Sequence, residues 1–375
     1  MKKYFFLSVF ALSSLLLTGQ ELQNFRPQQI VSPEIANGKV TFRISAPQAY
    51  QVRLYGSWMA SFTDTEPLAR DTGGIWSVTI NAPEPEIYTY NFIVDGVSVS
   101  DAANIFVQRD GRRFLSILLI DGPLTANYRE ANKRGNLDHV WYNSPTIGTT
   151  RRMFVYTPYG YNTSRQRYPV LYLLHGGGGD EDAWSNMGRA CQILDNLIEQ
   201  GKAVPMIVVM PNGNPGQQAA QTLLLPENTF DRNDPAFANL YIHSLVKDIV
   251  PYIQSNYRVN ANANNRAIAG LSMGAGHTMA ATNAYPGFFS YILPLSNGIQ
   301  ENEDVDAAYQ AIKKAKYKLY WVACGTDDFL WERAKNLDAA LTRNGLEHTF
   351  YVTDGGHTWA NWRKYLNTFA PLLFK

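Results

Sequence analysis

The pattern of apolar and polar residues divides the chain into two parts that carry different kinds of strand. In the first part, apolar and polar residues alternate in short runs such as 40–44 and 87–94, with turn signals such as Asp95-Gly96 between them. Alternation of this kind predicts β-strands that bury one face. Short strands at this spacing predict an all-β sandwich over residues 28–120.

The second part carries unbroken apolar runs, and stretches with helical spacing lie between them. The runs are 170–174, 206–210, 267–269, 291–295 and 319–323. Strands that are covered on both faces by crossover helices have this composition. The pattern therefore predicts an α/β domain over residues 136–375, joined to the sandwich by a linker over residues 121–135.

The first residues have the pattern of a secretory signal. Lys2 and Lys3 precede an apolar stretch over residues 4–17, and Gly19 is a small residue at the position of a cleavage site. We therefore expect residues 1–19 to be a signal peptide and the mature protein to be secreted or periplasmic. The apolar stretch is shorter than the ~20 residues that a membrane-spanning helix needs, so we expect no membrane partner.

The composition of the chain argues against several classes of partner and cofactor. The formal net charge of +1 gives no electrostatic reason to expect a nucleic-acid partner. No group of His, Asp and Glu shows metal-ligand spacing, so we expect no metal ion and no other cofactor. The two cysteines, Cys191 and Cys324, are predicted to be buried free thiols rather than a disulfide.

The candidate nucleophile is Ser272. Residues 270–274 read Gly-Leu-Ser-Met-Gly, after an apolar run and before small residues at helical spacing. This G-x-S-x-G pattern places a serine on a sharp turn between a strand and a helix. The N–H of Met273 then lies at a helix N-terminus, where it can stabilise an oxyanion.

An acid and a histidine should follow the nucleophile along the chain, each after a strand. Of the six histidines, only His348 and His357 follow an eligible acid, and the sequence around His348 looks like a strand. His357, in a glycine-containing loop, is therefore the predicted base. Asp327 and Asp328 both end the preceding strand, and we favour Asp328 as the acid that orients the imidazole.

Other site residues come from loops beside these elements. The glycines after His175 directly follow a buried strand, and Gly177 is the predicted second oxyanion donor. Three aromatic residues are candidates for stacking on an aryl substrate, with packing in the core as the alternative for each. They are Trp184, Phe329 and Trp359.

The second part of the chain resembles the esterase D-like family, in particular the feruloyl and acetylxylan esterases of carbohydrate esterase family one. The matching stretches are 168–179, 248–259, 270–274 and 356–362. The resemblance implies an α/β-hydrolase domain with Ser272 as nucleophile, Asp328 as acid and His357 as base.

The first part resembles the immunoglobulin-like module at the N-terminus of glycogen-branching and isoamylase-type enzymes, which is classed with carbohydrate-binding domains. The matching stretches are 42–47, 74–78, 87–96 and 101–104. The predicted fold class is therefore α/β, an α/β-hydrolase domain preceded by an all-β immunoglobulin-like sandwich.

Together the two resemblances imply a secreted serine carboxylesterase that removes feruloyl (hydroxycinnamoyl) groups from plant polysaccharide such as arabinoxylan. Two alternatives within the esterases are an acetylxylan esterase and an enterobactin-type siderophore esterase. From a different class, the chain could be a non-catalytic glycan-binding protein on a hydrolase scaffold.

Overall fold

The computed structural model describes residues 30–59, 61, 63–111, 113–220 and 235–375. The expected signal peptide, residues 1–19, lies outside the described residues. No helix in the described part of the chain is both long and apolar enough to cross a membrane.

Two antiparallel sheets make up the first part of the chain. Their strands are β1 (Glu34–Ala36), β2 (Lys39–Ser45), β3 (Val52–Gly56), β4 (Glu66–Pro67), β5 (Ala69–Arg70), β6 (Ile75–Asn81), β7 (Ile87–Val94), β8 (Val97–Val99), β9 (Val107–Asp110) and β10 (Arg113–Leu119). One sheet has the order β1-β2-β6-β5, and the other has the order β4-β3-β7-β10-β9 with β8 paired to β7.

The two sheets share one core. Phe42 and Trp76 from the first sheet and Leu54 and Phe92 from the second are buried in the same cluster. Buried residues alternate with more exposed ones along β2 around Phe42 and along β3 around Leu54, as the period-two pattern predicts. The first part is therefore a two-sheet sandwich, and its relationship to immunoglobulin-like modules stays a prediction.

A single mixed sheet forms the centre of the second part. Its strands are β11 (Asn136–Ser144), β12 (Thr149–Thr157), β13 (Val170–Leu174), β14 (Ile207–Pro211), β15 (Arg266–Leu271), β16 (Tyr291–Leu295), β17 (Leu319–Gly325) and β18 (Thr349–Thr353), in the order β11-β12-β14-β13-β15-β16-β17-β18. β11 and β12 are antiparallel to their neighbours. The other six strands, β13 to β18, run parallel to one another.

Helices cover both faces of this sheet. They are α1 (Ala183–Asn186), α2 (Ala190–Glu199), α3 (Pro235–Ser244), α4 (Val250–Asn256), α5 (Met273–Ala284), α6 (Asp306–Ala315), α7 (Trp331–Arg343) and α8 (Trp359–Phe369), and a π-helical turn over Leu245–Ile249 joins α3 to α4. Every residue of β13, β14, β15 and β16 is buried, which is why their sequences are continuously apolar rather than alternating.

The predicted linker is a packed connection. A 3₁₀-helix over Pro123–Tyr128 lies against α2, and Tyr128 is buried. The Arg189 guanidinium donates to the Tyr128 carbonyl at 2.7 Å, and the Asn196 amide donates to the Arg129 carbonyl at 2.8 Å. These hydrogen bonds join the end of the sandwich to the α/β domain.

Two buried arginines join the sandwich to the α/β domain more directly. Arg363 of α8 donates to the Glu86 carboxylate and to the Ile87 carbonyl of the sandwich, both at 2.9 Å, and to the Met187 carbonyl at 2.7 Å. In the opposite direction, Arg109 of β9 reaches the α/β domain and forms an ion pair with Asp180 at 2.7 Å. The two parts therefore pack as one body.

We expect Arg363→Leu to lower the free energy of unfolding by about 3–5 kcal/mol, because it leaves the half-buried Glu86 carboxylate without its partner and removes three further hydrogen bonds of a buried guanidinium to Glu86, Ile87 and Met187. Urea titration followed by tryptophan fluorescence measures this change. Lys335→Gln, which breaks the exposed ion pair with Glu332, is the control and should change the free energy by less than about 1 kcal/mol. Equal effects of the two substitutions would show that the Arg363 contact contributes no more than a surface ion pair.

Candidate active site

Ser272 lies on a strained turn between β15 and α5. Its backbone has φ +54° and ψ −114°, a region that residues with a side chain rarely occupy. Close backbone contacts hold the turn in this shape. A Cβ on Gly270 would lie 2.2 Å from the Gly274 carbonyl oxygen, and a Cβ on Gly274 would lie 2.6 Å from the Leu174 carbonyl oxygen. Both glycines of the motif are thus required by close packing.

His357 and Asp328 form a hydrogen-bonded pair. The His357 Nδ1 lies 3.0 Å from Asp328 Oδ1 and 2.9 Å from Oδ2. The Asp328 side chain is fully buried, whereas Asp327 is exposed. Asp328 Oδ1 also accepts a hydrogen bond from the Leu330 N–H at 2.9 Å, just before α7. One carboxylate, that of Asp328, therefore both contacts the histidine and accepts a hydrogen bond at the start of α7. The sequence-based prediction had one aspartate for each of these roles.

The environment keeps the Asp328 carboxylate ionised. Burial by itself would raise the pKa of Asp328, but the hydrogen bonds from His357 and from the Leu330 N–H outweigh burial and hold that pKa below its usual range. An ionised carboxylate at Nδ1 fixes the tautomer that leaves Nε2 free to accept a proton.

Ser272 and His357 line one pocket of about 240 Å³. Gly177, Trp359 and Asp110 are among the other residues that line it. Ser272 follows β15 and His357 follows β18, two parallel strands that β16 and β17 separate in the sheet. Asp110 comes from the sandwich, so both parts of the chain contribute to the wall of this pocket.

The glycine loop after β13 lies against Ser272, since a Cβ on Gly176 would lie 3.2 Å from the Ser272 Cβ. His175, at its start, is buried, its Nδ1 bonds the Gly176 carbonyl and its Nε2 accepts from the Gly213 N–H at 2.7 Å. Burial lowers the pKa of His175, so this histidine is neutral and acts as a structural hydrogen-bonding residue. The N–H groups of Gly177 and Met273 have no hydrogen-bond partner within the described ranges.

The three aromatic candidates occupy different environments. Trp359 lines the pocket. Phe329 is 76% exposed, and its ring lies 4.5 Å from the His357 ring without lining the pocket. Trp184 is buried in the core, where its Nε1 donates to the Leu174 carbonyl at 2.9 Å. The Trp184 ring lies 5.3 Å from the Trp359 ring and does not line the pocket, which favours the alternative of packing in the core. Its role as a substrate contact stays a prediction.

His348 lies just before β18 rather than in a strand. Its Nε2 contacts Asp338 at 2.8 Å, and it does not line the pocket. Both cysteines are free thiols, as the sequence predicts, and burial raises the pKa of each to about 12. Within the described part of the chain, no group of three or more His, Cys, Asp and Glu side chains is arranged to hold a metal ion.

Asp110 and Trp362 are among the residues of the pocket wall that sequence reasoning missed. The Trp362 Nε1 donates to Ser296 Oγ at 2.9 Å, and its ring lies 4.9 Å from the His357 ring at 90°. The spacing of Trp359 and Trp362 at the start of a helix after the histidine loop is a signal that could have identified Trp362. Asp110 has no such signal, because its place depends on how the sandwich docks.

Comparison with known proteins identifies relatives of the α/β domain and of the whole chain. Residues 144–373 match the family described as "Putative esterase". An endo-1,4-beta-xylanase/feruloyl esterase from Xylanibacter ruminicola is 32% identical over 348 residues, which cover 91% of this chain and 45% of that protein. This chain spans less than half the length of the first curated relatives that it matches.

Solved structures show the same fold. A ferulic acid esterase is 27% identical, covers 64% of this chain and 98% of its own, and superposes with a TM-score of 0.54. An enterobactin esterase from Shigella flexneri is 17% identical but covers 91% of this chain and 96% of its own, with a TM-score of 0.65. The second likeness is one of fold, and it extends over the sandwich and the α/β domain together.

We expect phenylmethylsulfonyl fluoride to form a covalent ester with Ser272, because the pair of His357 and Asp328 is placed to remove the serine proton. Intact-mass spectrometry measures the rate of labelling. Asp328→Asn should slow labelling by about 100-fold or more, since it removes the carboxylate at Nδ1. Asp327→Asn is the matched control, and a slowing as large as that of Asp328→Asn would contradict the assignment. Ser272→Ala should not be labelled.

Proposed function

Because this chain belongs to the esterase family whose model it matches, we propose that it is a serine carboxylesterase that releases feruloyl groups from plant cell-wall polysaccharide such as arabinoxylan. The observation that carries the chemistry is the strained Ser272 in one pocket with His357, whose Nδ1 is held by the buried Asp328. Such a set of residues performs acyl transfer.

The reaction has two halves. The Ser272 hydroxyl loses its proton to His357 Nε2 and attacks the ester carbonyl, and the oxyanion accepts hydrogen bonds from the N–H groups of Gly177 and Met273. His357 then gives the proton to the leaving alcohol oxygen, and an acyl-enzyme remains. Water, activated by His357, attacks the acyl-enzyme and releases the acid. Asp328 stays ionised throughout and stabilises the imidazolium.

Two relatives favour an aryl acyl group on a plant polysaccharide. The Xylanibacter ruminicola protein combines xylanase and feruloyl esterase in its name, and the solved structure that covers 98% of its own chain is a ferulic acid esterase. Aromatic side chains in the pocket wall, Trp359 and Trp362, suit ring-shaped substrate groups. We further propose that the enzyme is secreted or periplasmic and that the sandwich contributes to carbohydrate binding.

We expect methyl ferulate to be hydrolysed at least tenfold more efficiently than methyl acetate, as kcat/KM. An aryl acyl group buries on the order of 100 Å² more apolar surface, which at ~25 cal/mol per Å² corresponds to about 2.5 kcal/mol in the transition state. Initial rates on the two esters measure the ratio, with acetylated xylan as a third substrate. Comparable rates on both methyl esters, together with release of acetate from xylan, would instead indicate an acetylxylan esterase.

Substitution of the nucleophile separates enzymatic from background hydrolysis. Ser272→Ala should lower kcat on methyl ferulate by several orders of magnitude, and the double variant Ser272→Ala/His357→Ala should lose little more, because the residues act as a unit. Activity of Ser272→Ala within about tenfold of the wild-type value would contradict the serine mechanism. Faster hydrolysis of enterobactin than of feruloylated oligosaccharide would favour a siderophore esterase.

A further inference from the structure

Two cavities share the glycine loop after β13 as part of their walls. The first is the pocket of about 240 Å³ described above, here called the His357 cavity. The second, here called the Tyr241 cavity, has a volume of about 350 Å³ and is lined by residues that include Pro215, Tyr241, Met273 and His277. Gly177 lines both cavities, so the two meet at the predicted oxyanion site.

The mechanism assigns a different half of the ester to each cavity. His357 must deliver its proton to the leaving alcohol oxygen, so the alcohol has to lie on the side of the nucleophile where His357 is. The carbonyl oxygen occupies the position between the Gly177 and Met273 amides. The acyl chain then extends away from His357. The Tyr241 cavity is the one that borders Gly177 and Met273 and is lined by no residue of the histidine loop.

The Tyr241 cavity has the chemistry of a site for a ring that carries oxygen substituents. Its lining includes the Tyr241 and His277 rings, whose centroids are 4.7 Å apart, and the apolar side chains of Pro215 and Met273. Its volume falls within the ~300–1,000 Å³ of small-molecule sites, and an acetyl group would leave most of it empty.

Two polar atoms of this cavity's residues are left without a partner. The Tyr241 hydroxyl and the His277 Nδ1 are buried and have no hydrogen-bond partner within the part of the chain that the structure describes. Burial lowers the pKa of His277 to about 3, so its ring is neutral and offers one donor and one acceptor. A buried polar group without a partner is unfavourable, and a phenolic ligand would supply the missing hydrogen bond.

The His357 cavity has the chemistry of a sugar site. Trp359 and Trp362 offer aromatic surface, and Asp110 offers a carboxylate that can accept hydrogen bonds from sugar hydroxyls. Asp110 is held in place through its neighbour Arg109, whose guanidinium is buried and pairs with Asp180 at the end of the glycine loop. The carboxylate thus belongs to the sandwich and lies beside the catalytic pocket.

We propose that the substrate lies across Ser272 with its phenolic acyl group in the Tyr241 cavity and its sugar in the His357 cavity, where Asp110 of the sandwich contacts the sugar. This inference rests on the proposed function. It reverses the sequence-based expectation that Trp359 stacks on the acyl ring, and it makes Tyr241 and Asp110 specificity-determining residues for opposite halves of the ester.

The acyl half is tested with Tyr241→Phe, which removes only the hydroxyl. The ratio of kcat/KM on methyl ferulate to kcat/KM on methyl cinnamate, which has no ring hydroxyl, should fall about fivefold or more. Tyr291→Phe is the matched control, because the Tyr291 hydroxyl is also buried without a partner in the described chain but lines neither cavity. Because both rates come from one preparation, the ratio does not depend on the folded fraction.

The sugar half is tested with Asp110→Asn. The ratio of kcat/KM on a feruloylated arabinose ester to kcat/KM on methyl ferulate should fall about fivefold or more, since only the first substrate has sugar hydroxyls for the carboxylate. Arg113→Gln is the control. It breaks the exposed ion pair between Arg113 and Asp110, which has an N···O distance of 2.8 Å, and leaves the carboxylate in place.

The two ratios give opposite results if the orientation is wrong. A fall of the ferulate-to-cinnamate ratio in Asp110→Asn, or of the sugar-to-methyl ratio in Tyr241→Phe, would show that the ester lies the other way round. Turnover of methyl ferulate by the wild type with both ratios unchanged in the two variants would overturn the orientation alone. Absence of that turnover in the wild type would overturn the proposed function as well.

Discussion

The contact between the backbone at Gly270 and the backbone at Gly274 is the constraint on which the rest of the site depends. With no side chain at either position, the end of β15 and the start of α5 approach closely, and Ser272 is held between them at a positive φ. The same turn places the Met273 N–H at the first position of the helix. One steric arrangement therefore positions the candidate nucleophile and a candidate oxyanion donor together.

The other catalytic elements are held from the side of the sandwich. Arg109 pairs with Asp180 at the end of the glycine loop, and Arg363, six residues after His357, donates to Glu86 and Ile87. Both arginines are buried, which limits competition from water for these contacts. The sandwich thus contacts the end of the glycine loop and the helix that follows the His357 loop.

Much of the architecture could be predicted because its signals are local. Unbroken apolar runs predict the parallel strands, alternating runs predict the sandwich strands, and the motif around Ser272 predicts the turn that the structure contains. The predicted esterase family is confirmed by the family model. The pairing of His357 with Asp328 rather than with Asp327 follows from which carboxylate is buried, and the sequence favours but does not decide it.

The remaining features depend on contacts between distant segments. Trp184 follows the glycine loop in sequence, yet it turns into the core because its N–H finds the Leu174 carbonyl there. Asp110 and Tyr241 come from separate segments whose approach to Ser272 depends on domain docking and helix packing. The residue spacing within one segment does not predict contacts with a distant segment. A strand or a turn, by contrast, can be predicted from a few consecutive residues.

Because Asp110 lies in the sandwich, exchanging the sandwich for another module would change the pocket. Modules are exchanged among polypeptides most readily when few contacts cross their boundary. Here the boundary is crossed by buried ion pairs, and one wall of the catalytic pocket lies on the far side of it. A chimera that joined residues 136–375 to a different sandwich would keep the serine and histidine but would lack a part of the pocket. The sandwich and the α/β domain must therefore be transferred together, in evolution or in protein engineering, for the pocket to stay complete.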